Sequence, residues 1–241
     1  MAFRSSKQAR VYVGSLAAAA YARSASTSGA AEMLEVTTLA DADKAFVPGL
    51  ASSTFSVDGP LDSDGSAGSQ FATIAGLQQA ANATVVTYMP LGTDGAAWLI
   101  ESHQTDFETM ASVSGTVDWS MQAQTTGISD IDGVILENNT TVTTDTDGTA
   151  NTGPVGGTAN GAVFHLHVTA FSGLTSDDII VEGSTSGAFA GEETTVATFT
   201  QVTDVTSERV AVTGTVPRYL RVVDDVTGTG SVTRLVAASR R

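Results

Sequence analysis

Between residues 163 and 171 the side chains of Phe164, Leu166, Val168 and Ala170 alternate with those of His165, His167 and Thr169. A period of two is the signature of an extended strand, which sorts such a run into an apolar face and a polar one. Comparable short runs, rich in Val and Thr, recur at 179–184, 195–202, 209–213, 219–223 and 231–237, each bounded by Gly, Asp or Ser. Strands with turn signals every ten or so residues predict a β-sandwich or barrel, and they tell against an α/β enzyme with long crossover helices.

The first half reads the same way. Strands are expected at 10–14, 33–39, 53–58, 84–89 and 96–101. A longer ribbon is expected at 111–125, with Val113, Gly115, Val117 and Trp119 on one side and Thr116, Asp118 and Ser120 on the other. One helix is expected over 69–81, where Phe71, Ile74, Ala75 and Gln78 share a face, flanked by Leu77 and Ala81. Residues 40–52 carry Asp41, Asp43, Lys44, Pro48 and Gly49 and read as an extended loop or arm. Residues 138–161 are almost wholly Asn, Thr, Asp, Gly, Pro and Ala, a composition suited to a linker or exposed loop. The expected organisation is a β domain over 1–137, this linker, and a second sandwich-like portion over 162–241.

Charge narrows the functional classes. The formal net charge is −15, and residues 45–208 contain 20 acids and no Lys or Arg. Such a field repels phosphate backbones, so the middle of the chain is not expected to bind nucleic acid sequence-specifically. A high-salt habitat is a second explanation of the same balance. No uninterrupted apolar run approaches the roughly 20 residues of a membrane-spanning helix, and no membrane partner is expected. Arg4, Lys7 and Arg10 ahead of an Ala-rich stretch ending Ala20-Tyr21-Ala22 imitate a secretory leader. Gly14, Ser15 and the small alanines dilute it, and a strand at 10–14 followed by an Ala-rich turn or short helix is expected instead.

Catalytic signatures are weak. With no cysteine, disulfides, thiolate metal sites and thiol nucleophiles are excluded. His165 and His167 could chelate a metal together, but His103 is the sole further histidine, and a structural site needs about four ligands. Asp-x-Asp-Gly occurs at 62–65, 130–133 and 145–148; none continues into a full calcium loop, and all read as turns. Gly183-Ser184-Thr185-Ser186-Gly187 puts Thr where a nucleophile elbow needs Ser, and reads as a hairpin loop. Glu101 with Asp106 or Glu108 imitates a glycosidase pair, but in so acidic a chain such pairs arise by chance. No enzymatic activity, cofactor or metal is expected.

The run Met33-Leu-Glu-Val-Thr-Thr-Leu-Ala-Asp-Ala-Asp-Lys-Ala-Phe-Val-Pro-Gly-Leu50, continuing to Ser53-Thr-Phe-Ser-Val-Asp-Gly59, resembles the opening half of major tail tube proteins of long-tailed, siphovirus-like bacteriophages and archaeal tailed viruses. Val113-Ser-Gly-Thr-Val-Asp-Trp119 resembles the closing strands of that family, and together these cover about half of the chain. Arg218-Tyr-Leu-Arg-Val-Val223 and Ser231-Val-Thr-Arg-Leu-Val236 are similar to segments of several phage structural proteins.

The resemblance implies an all-β sandwich or barrel with one short flanking helix. Six copies would close into a ring, and rings would stack through the long loop, with Asp41, Asp43, Lys44, Phe46, Pro48, Gly49 and Leu50 as the contact. Partners would be further copies, other tail proteins, and viral DNA in passing, with acids such as Glu108 and Asp118 lining its path. The location would be the virion tail, assembled in the host cytoplasm. Two other classes stay open: a capsid decoration or other virion surface protein, and a secreted adhesive β-sandwich.

Overall fold

The computed structural model describes residues 8–18, 21–38, 43–61, 70–78, 80–93, 96–111, 115–126, 130–151 and 156–241. Asp41 and the 62–65 Asp-x-Asp-Gly piece lie outside the described residues. The chain is almost entirely β, with one helix among the described residues, as the alternating runs require. It divides into two compact units that are not consecutive in sequence.

One unit comprises Met1–Tyr21, Thr84–Glu101 and Asp130–Arg241. Here β1 (Arg10–Val13) pairs antiparallel with β4 (Thr84–Met89). The start of β5 (Ala97–Ala111) pairs with β7 (Asp130–Val142). Then β7 pairs with β12 (Tyr219–Arg240), and β12 with β9 (Ala162–Ser184). β8 (Thr146–Asp147) joins β12, while β10 (Thr194–Thr198) and β11 (Thr206–Val212) pair with opposite ends of β9.

The two strands expected at 163–171 and 179–184 are one strand, β9, and those at 219–223 and 231–237 are one strand, β12. Glycines that look like turns in the sequence are a bend within a continuous ladder. Gly228 sits at φ 106°, with register shifts on either side of it. A Cβ on Gly230 would lie 2.0 Å from Ser172 O. The bend lets both halves of β9 serve one core, in which Phe164, Leu166 and Val168 join Ile179 and Val181.

The outward placement of His165 and His167 is overturned, because both are fully buried. Their face of β9 is covered as well, with Val163, Leu235 and Ala237 sharing a second core with Tyr12 and Met89. His167 Nδ1 lies 2.6 Å from Gly14 O, so that nitrogen carries the proton and Nε2 accepts from Thr87 Oγ1 at 2.8 Å. The Thr87 hydroxyl, its proton spent, accepts from His165 Nδ1 at 3.1 Å. Burial drives both imidazoles toward the neutral form, His167 to about 4 and His165 well below its ordinary value, the latter pushed further by His167 and Arg209. Thr87→Val keeps the shape but strands the buried His167 Nε2, at about 1–3 kcal/mol, while His165 keeps its hydrogen bond to the Val86 backbone. A loss of about 1–3 kcal/mol in urea unfolding is expected.

The other unit comprises Ala22–Ala83 and Ser102–Ser129. β2 (Ser24–Glu35), β3 (Phe46–Pro60), β6 (Val117–Thr125) and the remainder of β5 form an antiparallel sheet in the order β5-β6-β3-β2. Phe55, Val57, Trp119, Met121 and Ala123 are buried on one face. Helix α1 (Gln70–Leu77) buries Ile74. It is shorter than the expected 69–81.

Three expectations shift here. The strand expected at 33–39 is β2, which starts at Ser24 and ends at Glu35. Of the ribbon expected at 111–125, Ala111 ends β5, residues 112–114 lie outside the described residues and Val117–Thr125 is β6, while β5 runs ten residues past the expected end at Glu101. Residues 46–52, expected within a loop, belong to β3.

Candidate assembly surface

β3 pairs with β6 over Thr54–Pro60. Nearer the hairpin tip, among the described residues, β2 and β3 pair only with each other, from Ala30↔Ser52 to Glu35↔Phe46. At about 3.3 Å per residue the eight residues 46–53 make a two-stranded ribbon of about 26 Å. Val36 N donates to Ala45 O at 2.9 Å, and Ala45 N to Thr37 Oγ1 at 3.0 Å, closing the ribbon toward its tip. Lys44 Nζ meets Glu35 Oε2 at 3.1 Å, an exposed pair of small energetic consequence.

This ribbon gathers exposed apolar side chains. Met33, Leu34, Val36, Phe46 and Val47 are all exposed, and Leu50 is 84% exposed. A register shift between Ala31 and Met33 sets Gly49 and Leu50 opposite the single Glu32, a bulge that re-aims the side chain it carries. A Cβ on Gly49 would approach the Glu32 Cβ and O and the Leu34 Cγ at 3.3 Å each, so the bulge favours a residue without one. The structure thus places Phe46, Gly49 and Leu50 on one arm, with the backbone of Pro48 in the same strand and Asp43 and Lys44 beside its tip.

The second surface is the polar face of the same sheet. Directly opposed residues in antiparallel strands share a face. The registers Ser24↔Asp58, Asp58↔Ser120, Glu108↔Ser120, Asp106↔Gln122 and Met110↔Asp118 therefore bring Asp58, Asp106, Glu108 and Asp118 to one side. The rest of that side is hydroxyl-rich: Ser26 and Ser56 hydroxyls are 2.8 Å apart, and Ser28 and Thr54 hydroxyls 3.0 Å. Asp118 is not free, because Arg23 bonds both its oxygens at 3.2 Å and Thr116 Oγ1 donates to it at 2.9 Å. Those bonds hold its carboxyl below the ordinary range. Arg23 lies outside the base-free stretch, and nothing in the spacing pairs it with Asp118.

Other sequence motifs are absorbed by the fold. Asp130 pairs with Arg241 at 3.1 Å, Asp147 with Arg221 at 3.0 Å, and Asp145 Oδ1 accepts from Val226 N at 2.9 Å. The Gly183–Gly187 piece spans the end of β9 and the start of its connection to β10, where Gly187 N donates to Ser184 Oγ at 2.8 Å and Thr185 Oγ1 to Glu192 at 2.9 Å. Among the described residues no three His, Cys, Asp or Glu side chains are gathered as a metal site, and no helix is long and apolar enough to cross a membrane.

The sequence matches no family model and no curated protein. Solved structures resemble it at low identity. The virion of a native gene transfer agent particle contains a chain aligned at 15% identity and TM-score 0.43, covering 54% of this chain and 98% of that one. The SPP1 tail tube aligns at 14% identity and TM-score 0.40, covering 52% and 77%. The SPP1 Dit protein, described as a hub of the adsorption apparatus in phages infecting Gram-positive hosts, aligns at 10% identity and TM-score 0.40, covering 96% and 98%.

Proposed function

We propose that the chain is a structural subunit of a viral tail, whose copies close into rings and stack into a tube that conducts DNA. The observation that carries this reading is the arm formed by β2 and β3. A ribbon of about 26 Å that exposes Leu34 and Val47 on one face, Met33 and Phe46 on the other and Leu50 at its bulge is unfavourable in water, and packed neighbours relieve it. The partner assigned to it is a second copy of the chain in the next ring, with Asp41, Asp43, Lys44, Phe46, Pro48, Gly49 and Leu50 as the contact. The sequence resemblance of the same segment to tail tube proteins points the same way.

The hydroxyl-rich face with Asp58, Asp106, Glu108 and Asp118 is assigned to the DNA path. A polar wall of net negative charge hydrates well and gives phosphate nothing to hold. Other tail proteins would cap the stack, and the unit containing β9 and β12 either decorates the exterior or completes the barrel. Negative-stain microscopy of the purified full chain tests the reading directly: stacked rings are expected. Trimers or compact monomers would favour a decoration protein, and a monomer that requires calcium would favour an adhesive domain.

A further inference from the structure

Asp224 and Arg234 lie ten positions apart on β12, a separation of about 33 Å along an extended strand. Their side chains nevertheless meet at 2.5 Å, Arg234 Nη2 to Asp224 Oδ2. The β9–β12 ladder must therefore double back between them, at the bend where Gly173 and Gly228 adopt positive φ and Gly230 presses on Ser172. The residues that close this corner are charged, although they sit in the interior.

Arg234 is fully buried, and its Nη2 also lies 2.8 Å from Glu137 Oε2 on β7, an ion pair without hydrogen-bond geometry. Asp177 on β9 is fully buried, and neither of its oxygens has a hydrogen-bond partner; Asp224 Oδ1 also lacks one. One guanidinium thus pairs with carboxyl groups from β7 and β12 and acts electrostatically on a third, Asp177 of β9. Asp178, Asp225 and Asp145 add negative potential at Asp177. A buried carboxylate without a partner is more stable protonated than ionised.

We propose that Glu137, Asp177, Asp224 and Arg234 form a proton-operated latch: the β9–β12 corner closes with a proton held among the three carboxyl groups, and it loosens when that proton leaves. Burial, only partly offset by Arg234, raises the Asp224 carboxyl to about 7 and that of Asp177 to about 6, and lifts Glu137 above its usual range. Their contribution to stability is fully present below the ordinary Asp value near pH 4 and is lost as pH rises through about 6 to 7.

His165 and His167, in the same unit, act in the opposite sense. Their folded values are depressed, so their contribution is present above about pH 6.5 and lost as pH falls through the folded value, about 4 for His167. Overall stability mixes the two effects, and the amides at the corner separate them.

Hydrogen exchange on the full chain at pH 5.5 and 8, corrected for the chemical exchange rate, reads residues 171–176 and 225–232 against amides of β6. Corner protection is expected to fall about tenfold or more at pH 8 in the natural chain. Asp177→Asn, which removes one ionising group and leaves Asp224 to titrate, should lose less protection than the natural chain. Protection that does not change with pH, or an equal loss in Asp177→Asn, overturns the latch. Carboxyl-carbon NMR titration of the unmodified chain decides without any variant: an Asp midpoint above about 5 is expected, well above the ordinary value, and its absence rules the latch out.

Discussion

A chain carrying Phe46→Ser and Leu50→Asp is expected to fold normally and to form no tubes. Both side chains are exposed in the single chain, 48% and 84%, so their replacement removes nothing from a core. Surface changes of this kind usually stay within about 0.5 kcal/mol of the parent stability. In a stacked assembly the same side chains would be covered, and each fully buried Leu or Phe contributes about 1.5–3 kcal/mol. Because Phe46 is already half covered, the two are worth about 2–4 kcal/mol per contact, a change of roughly thirtyfold to a thousandfold in its equilibrium constant. Point substitution is a cleaner probe than deletion of residues 41–49, which would remove the first four residues of β3 and unpair Met33 to Glu35. Microscopy and sedimentation read the assembly, and urea unfolding reads the fold. Tubes of normal length from the doubly substituted chain would remove the arm from the stacking contact.

What the sequence discloses about this arm follows from how the signal arises. β4 is legible to the residue, since Thr84–Met89 is a compact run between turn residues. β2 is not: Ser24-Ala-Ser-Thr-Ser-Gly-Ala-Ala31 has no apolar alternation, because it lies at the end of the sheet and exposes most of its side chains. Its strand character comes from pairing with β3 rather than from its own composition, a tertiary effect that overrides propensity. The same holds in the other unit, where Gly173 and Gly228 read as chain reversals although the ladder continues through them. Alternation assigned His165 and His167 to a polar face, but it reports only that two faces differ and not that one meets water. The Arg234 cluster draws on three strands distant in sequence, and no local pattern announces it.

The two surfaces of the β2–β3–β6–β5 sheet differ in the same respect. Glu108 and Asp118 are expected on one ribbon; the structure places them on two neighbouring strands, β5 and β6, whose register brings them to one face. Asp58 joins them only through the β3–β6 register, whereas Asp106 follows from Glu108 by simple alternation, the bulge between Gln104 and Asp106 lying beyond it. The ion pair with Arg23 makes Asp118 the less informative of the two original positions, since substituting it also releases a guanidinium onto the face.

Glu108→Lys combined with Asp118→Lys is expected to slow genome ejection from assembled particles without preventing tube formation. Both positions lie on the polar face, away from Trp119 and Met121, so the core of the unit is untouched. The substitutions replace two acids by two cations and free Arg23, and on the proposed DNA path they would turn part of a repelling wall into one that holds phosphate. In the proposed tube every subunit would carry the change, so many weak contacts would act on one DNA molecule at once and the drag would accumulate along the channel. Attraction between phosphate and these cations extends over about 8–10 Å at physiological ionic strength and shrinks as salt is added. The delay should therefore be large in dilute buffer and fade as salt rises. Glu108→Gln, which removes a charge without reversing it, should give a much smaller delay. Ejection times from particles bearing each variant, measured across a salt series, check the mechanism. A delay indifferent to salt would mean that the substitutions act by distorting the tube, and undiminished ejection from tubes that carry lysine on the inner wall would show that charge repulsion is not what keeps the path clear.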